Sequence, residues 1–150
     1  VPGIVGLARA VELAQAERAA EAARLGALRD RLEAGLMARM AGVLRNGHPA
    51  ERLPNTSSLA FAGAEAESVL VALDLQGVAA SSGAACSSGS LAPSHVLTAM
   101  RLPREQVESS VRFSLGRATR SEEIDRLLEI LPPIIERMRG LRPALARARA

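Results

Sequence analysis

The chain has 150 residues, 48% hydrophobic and 23% charged, enough of an ordinary globular composition to bury a core without metal or disulfide support. Two aromatic residues, Phe61 and Phe113, with no Tyr or Trp, argue against a base-stacking nucleic-acid platform. A net charge of +3 with both signs interspersed gives no nucleic-acid footprint either. All 19 basic residues are Arg, so chemistry that starts from a lysine amine has no group here.

The first predicted element is a long helix over about Ile4 to Leu44, preceded by Pro2 and Gly3. Leu25, Leu28, Leu32, Leu36, Met40 and Val43 recur at spacings of three and four, one apolar stripe on a 3.6-residue period. Gly26 and Gly35 are the points where so long a helix would bend or break. Asn46-Gly-His-Pro then supplies turn residues. Leu59 and Phe61 alternate as in a short strand, and Glu65 to Leu75 reads as a helix with Val69, Leu70 and Leu73 inward and Gly77 as its stop. Val78 to Ser82 is a second expected strand, leading into the Gly/Ser-rich loop Ser81 to Ser90. Pro93 opens a short helix carrying Val96, Leu97 and Met100, and a turn follows Leu102-Pro103. In Ser110 to Leu115, Val111, Phe113 and Leu115 share one face and Arg112 and Ser114 the other. Thr119 and Glu122 match a capping box before a helix with Ile124, Leu127, Leu128 and Leu131 inward, and Pro132-Pro133 should kink or restart it. The order predicts an α/β (α+β) domain: a long helix, then a small sheet covered by helices.

Cys86 is the single cysteine, so no intrachain disulfide forms and a reducing compartment, the cytoplasm, is expected. No apolar run is long enough to cross a membrane as a helix. The start Val1-Pro-Gly-Ile-Val-Gly has neither an initiator Met nor a basic signal-peptide start, and reads as part of a longer polypeptide or a processed product. Residues 139–150 form an Arg/Ala-rich, acid-free tail, expected to be flexible.

Two residues could carry chemistry. Cys86 is either a buried small hydrophobe or an exposed thiol, and four serines and two glycines close to it favour the exposed loop. Arg112 is either a solvated charge on the outer face of a strand or a fork that captures a carboxylate. Arg117 faces the same choice on weaker grounds. His48, His95 and Cys86 lack the spacing of a zinc site, so no metal is expected. No Gly-x-Ser-x-Gly elbow or lysine-bearing phosphate loop is present.

Ser81-Ser-Gly-Ala-Ala-Cys86-Ser-Ser-Gly-Ser-Leu-Ala-Pro-Ser-His-Val-Leu resembles the active-site loop of cysteine desulfurases of the NifS/IscS type. Ser110-Val-Arg-Phe-Ser-Leu-Gly-Arg117, the helix start Glu122-Glu-Ile-Asp, Leu53-Pro-Asn-Thr and the opening Val-Pro-Gly-Ile-Val-Gly-Leu are similar too. The resemblance covers about residues 1–138. It implies the C-terminal small domain of a pyridoxal-phosphate enzyme of the aspartate-aminotransferase fold type (aminotransferase class V), with the long helix as its link to a large domain. It also implies a homodimeric parent that converts L-cysteine to L-alanine. By the same resemblance, Cys86 is the nucleophile that carries sulfur as a persulfide, and Arg112 holds the substrate carboxylate. The sulfur goes to an iron–sulfur scaffold or another acceptor protein, with a transient iron–sulfur contact at Cys86 as the sole metal encounter.

The Schiff-base lysine and the phosphate-binding groups of that family match nothing in this chain. The missing large domain would bring pyridoxal phosphate, so none is expected on this fragment alone, which is predicted to be inactive by itself. The alternative from a different class is a sulfur-carrier or scaffold-docking module that accepts a persulfide in trans. Neither nucleic acid nor membrane is an expected partner.

Overall fold

The apolar stripe that starts at Leu25 organises the packing. The computed structural model describes residues 1–83 and 94–148, with side chains through residue 141. Helix α1 (Pro2–Arg39) carries proline in its first turn, where a missing N–H removes no intrahelical bond. Leu25, Leu32 and Leu36 are buried, whereas residues 1–16 are exposed along their whole length.

The expected helix extended to Leu44, but α1 ends at Arg39 and Val43–Arg45 form strand β1. Gly42 causes the change. Its φ of +71° turns the chain, and a Cβ there would lie 3.2 Å from that of Ala62. Neither Gly26 nor Gly35 interrupts α1. Gly35 lets helix α5 (Ser121–Ala148) approach, since a Cβ at this position would meet Leu128 Cδ2 at 2.7 Å. Gly35→Val is therefore expected to lower stability by about 1–3 kcal/mol through overpacking. The check is a reduced urea midpoint at unchanged slope.

Strand β2 (Thr56–Phe61) is central, flanked by β1 and by β3 (Ser110–Ser114), both antiparallel to it. The alternation read from Val111 and Phe113 is observed: both face inward with Leu59 and Phe61, and all four are buried. Helices α1, α5 and α2 (Ala66–Asp74) cover that inner face through Leu32, Leu131, Ile135, Val69 and Leu73. The result is the mixed α/β arrangement anticipated from the order of elements.

Four local expectations are corrected. Residues 78–82 form no strand, and only Ser81 pairs, as a single bridge to Arg112. Beyond the short helix α3 (His95–Ala99), the turn expected after Pro103 is helix α4 (Arg104–Glu108), too short for a period to show, with Val107 as its buried anchor. Pro132-Pro133 does not break α5. Pro133 and Glu129 lie on its exposed side, so a carbonyl freed there faces water, while Leu128, Leu131 and Ile135 stay packed. Thr119 is not the helix cap: its hydroxyl accepts from Gly116 N at 2.9 Å, and the Glu123 carboxylate reaches back to Arg120 N at 2.9 Å. Arg139, at the start of the expected tail, anchors α5 by donating to the carbonyls of Ala41 and Ala62 at 2.7 and 2.9 Å.

One carboxylate lies inside the fold. Glu33 of α1 is buried and accepts from Arg52 Nη2 at 2.6 Å, from Ser57 Oγ at 2.8 Å and from Arg45 Nη1 at 3.3 Å. Burial pushes its carboxyl up, but the bonds from Arg52 and Ser57 and the Arg52 charge outweigh this and leave it below the ordinary range. The cluster ties α1 to β1, β2 and the connection between those strands.

Candidate active site

The strand registers build a polar row on the sheet face away from the core. Arg45 pairs with Leu59, which sets Asn46 beside Ser58, while Ser58 pairs with Arg112 and Arg112 with Ser81. Asn46, Ser58, Arg112 and Ser81 therefore lie side by side. Backbone bonds fix the two ends of the row: Asn46 N donates to Ser58 O at 2.9 Å, and Ser81 N donates to Arg112 O at 3.1 Å.

Side chains fix its middle. Asn46 is buried and donates through Nδ2 to Ser58 Oγ at 3.0 Å and to Ser110 Oγ at 2.8 Å. Its Oδ1 accepts from Gln106 Nε2 at 2.8 Å, and Ser110 Oγ donates to Gln106 O at 2.6 Å. The amide of Asn46 thus has all three of its bonds directed by α4 and the sheet.

Arg112 is different. Its Nε is buried with no partner, and its guanidinium makes no hydrogen bond or ion pair among the described residues. A buried donor without an acceptor costs free energy unless a ligand supplies one. Arg112 lines a cavity of about 240 Å³ together with Asn46, Thr56, Ser58, Gly83 and Ser94, with Val96, Leu97 and Met100 as its apolar wall. A cation, hydroxyl groups and an apolar wall suit a small carboxylate with a short side chain.

Of the two residues singled out from sequence, Arg112 is in this cavity. Cys86 lies outside the described residues, which stop at Gly83 and resume at Ser94. Those two residues both line the cavity and approach closely: a Cβ on Gly83 would be 3.1 Å from Ser94 Cβ. Arg117 is not in the cavity and pairs with Glu17 at 2.9 Å. His48 accepts from Ala50 N and Glu51 N through Nδ1, a turn-forming role, and His95 is exposed on α3. Among the described residues no group of three or more His, Cys, Asp or Glu could hold a metal ion, and no helix is long and apolar enough to cross a membrane. Asn46, Ser58 and Gln106 escaped the sequence reading. The parity of β2, with Leu59 and Phe61 inward, was the signal that would have placed Ser58 beside Arg112.

Residues 1–127 match the family model described as aminotransferase class-V. The chain is 49% identical over 143 residues to a cysteine desulfurase of Cereibacter sphaeroides, covering 95% of this chain and 36% of that protein. It is 46% identical over 140 residues to the cysteine desulfurase NifS of Azotobacter vinelandii, covering 93% of this chain and 35% of the relative. The solved structure of a NifS-like protein superposes with a TM-score of 0.77 at 31% identity, over 90% of this chain and 33% of its own. The chain thus spans about a third of the length of the relatives it matches. Since the family match takes in all three strands, the polar row and the start of α5, the chain belongs to the aminotransferase class-V family.

Proposed function

We propose that the chain is the sulfur-transferring part of a cysteine desulfurase, converting L-cysteine to L-alanine with Cys86 as sulfur acceptor and Arg112 as the substrate-carboxylate contact. The observation that carries the reading is Arg112, whose guanidinium has no partner among the described residues, in a cavity lined by both Gly83 and Ser94, the residues that flank the segment containing Cys86. Residues 1–138 form the small domain in this reading, with 139–150 as its tail. The parent works as a homodimer in the cytoplasm and delivers sulfur to an iron–sulfur scaffold or another acceptor protein. Transfer breaks the carbon–sulfur bond of L-cysteine, forms a sulfur–sulfur bond at Cys86 and returns a proton to the substrate carbon. L-cysteine and a thiol thus become L-alanine and a persulfide.

The family's cofactor, pyridoxal phosphate, supplies the electron sink for such chemistry when bound through a lysine. This chain contains no lysine, and the cavity's lining offers Arg112, hydroxyl groups and amides but no amine. Its residues do not fit covalent attachment of that group. They fit substrate positioning instead. Arg112 orients the carboxylate, and Val96, Leu97 and Met100 keep water from one side of it.

The test replaces the matched 36% of the Cereibacter sphaeroides enzyme with this chain. The chimera is expected to form L-alanine from L-cysteine and to show about 32 Da of added sulfur on the Cys86 peptide by mass spectrometry. The 150-residue chain alone is expected to form none. A chimera that folds, keeps its cofactor and forms no alanine would overturn the reading. Persulfide appearing on the separate chain from a donor protein would favour the sulfur-carrier role instead.

A further inference from the structure

Ser58 is the residue of the row whose chemistry is unused. Its Oγ accepts from Asn46 Nδ2 at 3.0 Å and donates to nothing among the described residues. The acceptance matters, because a hydroxyl that accepts on one side directs its own proton elsewhere. Asn46 cannot swing away: its second Nδ2 proton goes to Ser110 and its Oδ1 is taken by Gln106. Ser58 also lines the cavity and is the direct cross-strand partner of Arg112, a spacing of about 4.5–5.5 Å between Cβ atoms. Ser58 and Arg112 thus share one wall of the same cavity, the placement a two-point contact with one bound carboxylate requires.

We infer that Ser58 is a second carboxylate contact beside Arg112, and that Asn46 is a positioning residue that aims the Ser58 hydroxyl into the cavity. The inference rests on the reading of Arg112 as a carboxylate site and deepens it. A two-point site, fork plus hydroxyl, fixes the plane of the carboxylate as well as its place. Gln106 extends the control to α4 through the Asn46 and Ser110 network.

The experiment is an NMR titration of the 150-residue protein with propionate, read at the Arg112 Nε–H resonance, with propionamide as the uncharged control. The wild type is expected to give a saturable shift with propionate and none with propionamide. Ser58→Ala should weaken propionate about tenfold, the loss of one hydrogen bond to a charged group. Ser58→Thr, which keeps the hydroxyl, should stay within about twofold of the wild type. Asn46→Ala should weaken binding less than Ser58→Ala, since the hydroxyl remains but is no longer aimed. A Ser58→Ala protein that binds propionate as the wild type does overturns the role of Ser58 and leaves the Arg112 reading intact. A wild type without a propionate-specific response overturns both. Because Ser58 lies on the outer sheet face, its variants keep the core that holds the fold.

Discussion

Glu33→Ala is expected to destabilise the protein by about 3–5 kcal/mol, the cost of leaving buried partners of an ion pair without their counter-charge. Arg52 and Glu33 are both largely removed from water, with side-chain exposures of 12% and 4%. Arg52 cannot simply turn outward, because it is also bonded to Asp30 at 3.3 Å and its Nε is already buried without a partner. Ser57, fully buried on the inner face of β2, would lose its acceptor as well. Removing both charges should hurt less than removing one: Glu33→Leu with Arg52→Leu restores apolar volume, and Arg45, partly exposed, can return to solvent. The pH dependence has a definite sign. The folded state holds the Glu33 carboxyl below its ordinary range, so the unfolded chain binds the proton more readily. The stabilisation is present above the unfolded value of about 4.3 and is lost as pH falls through the folded value. Urea unfolding should thus give a gap between wild type and Glu33→Gln at neutral pH that narrows below about pH 4. A gap that stays constant or widens on acidification would contradict the assignment.

What the sequence made legible followed from how local each signal was. The Leu25, Leu28, Leu32, Leu36 stripe repeats every three or four residues, and the buried face of α1 follows it from Leu25 onward. The alternation of Val111, Arg112 and Phe113 placed the guanidinium outside the core from five residues alone. The boundary before Gly42 was hidden because Met40 and Val43 both continue the stripe, although the helix ends at Arg39 and Met40 is already extended. Both pack against the same core, Met40 from the helix cap and Val43 from β1. Val78 and Ala80 read as a strand because they are apolar and packed, but packing without a partner strand is not pairing. The proline pair misled for the opposite reason: the packing of Leu128, Leu131 and Ile135 along α5 outweighs the two missing donors. At the site, Arg112 and Cys86 were visible by residue type and resemblance. Asn46, Ser58 and Gln106 were not, since they come from three elements, and only the registers bring them together. A single sequence has no local period that encodes a contact between Asn46 and Ser110.

Arg112→Gln in the chimeric enzyme is expected to lower kcat/KM for L-cysteine by about 30-fold to several thousand-fold, the range for removing one partner of a desolvated charge pair. Arg112→Lys keeps the charge and should still cost about 10- to 100-fold, because an ammonium replaces two parallel N–H donors by a point charge. That ordering separates a carboxylate fork from a solvated charge, for which both changes would be nearly silent. The stability effect should be small. Among the described residues the Arg112 guanidinium has no hydrogen bond or ion pair to lose, and its Nε is a buried donor that gains nothing in the ligand-free fold. Urea midpoints of both variants are therefore expected within about 0.5 kcal/mol of the wild type, or slightly above it. The combination is the signature: a site that costs folding a little and repays it only when a carboxylate arrives. A large stability loss together with unchanged kcat/KM would make Arg112 a structural residue of β3. A loss confined to kcat/KM and shared by Ser58→Ala would join the two residues in one carboxylate site.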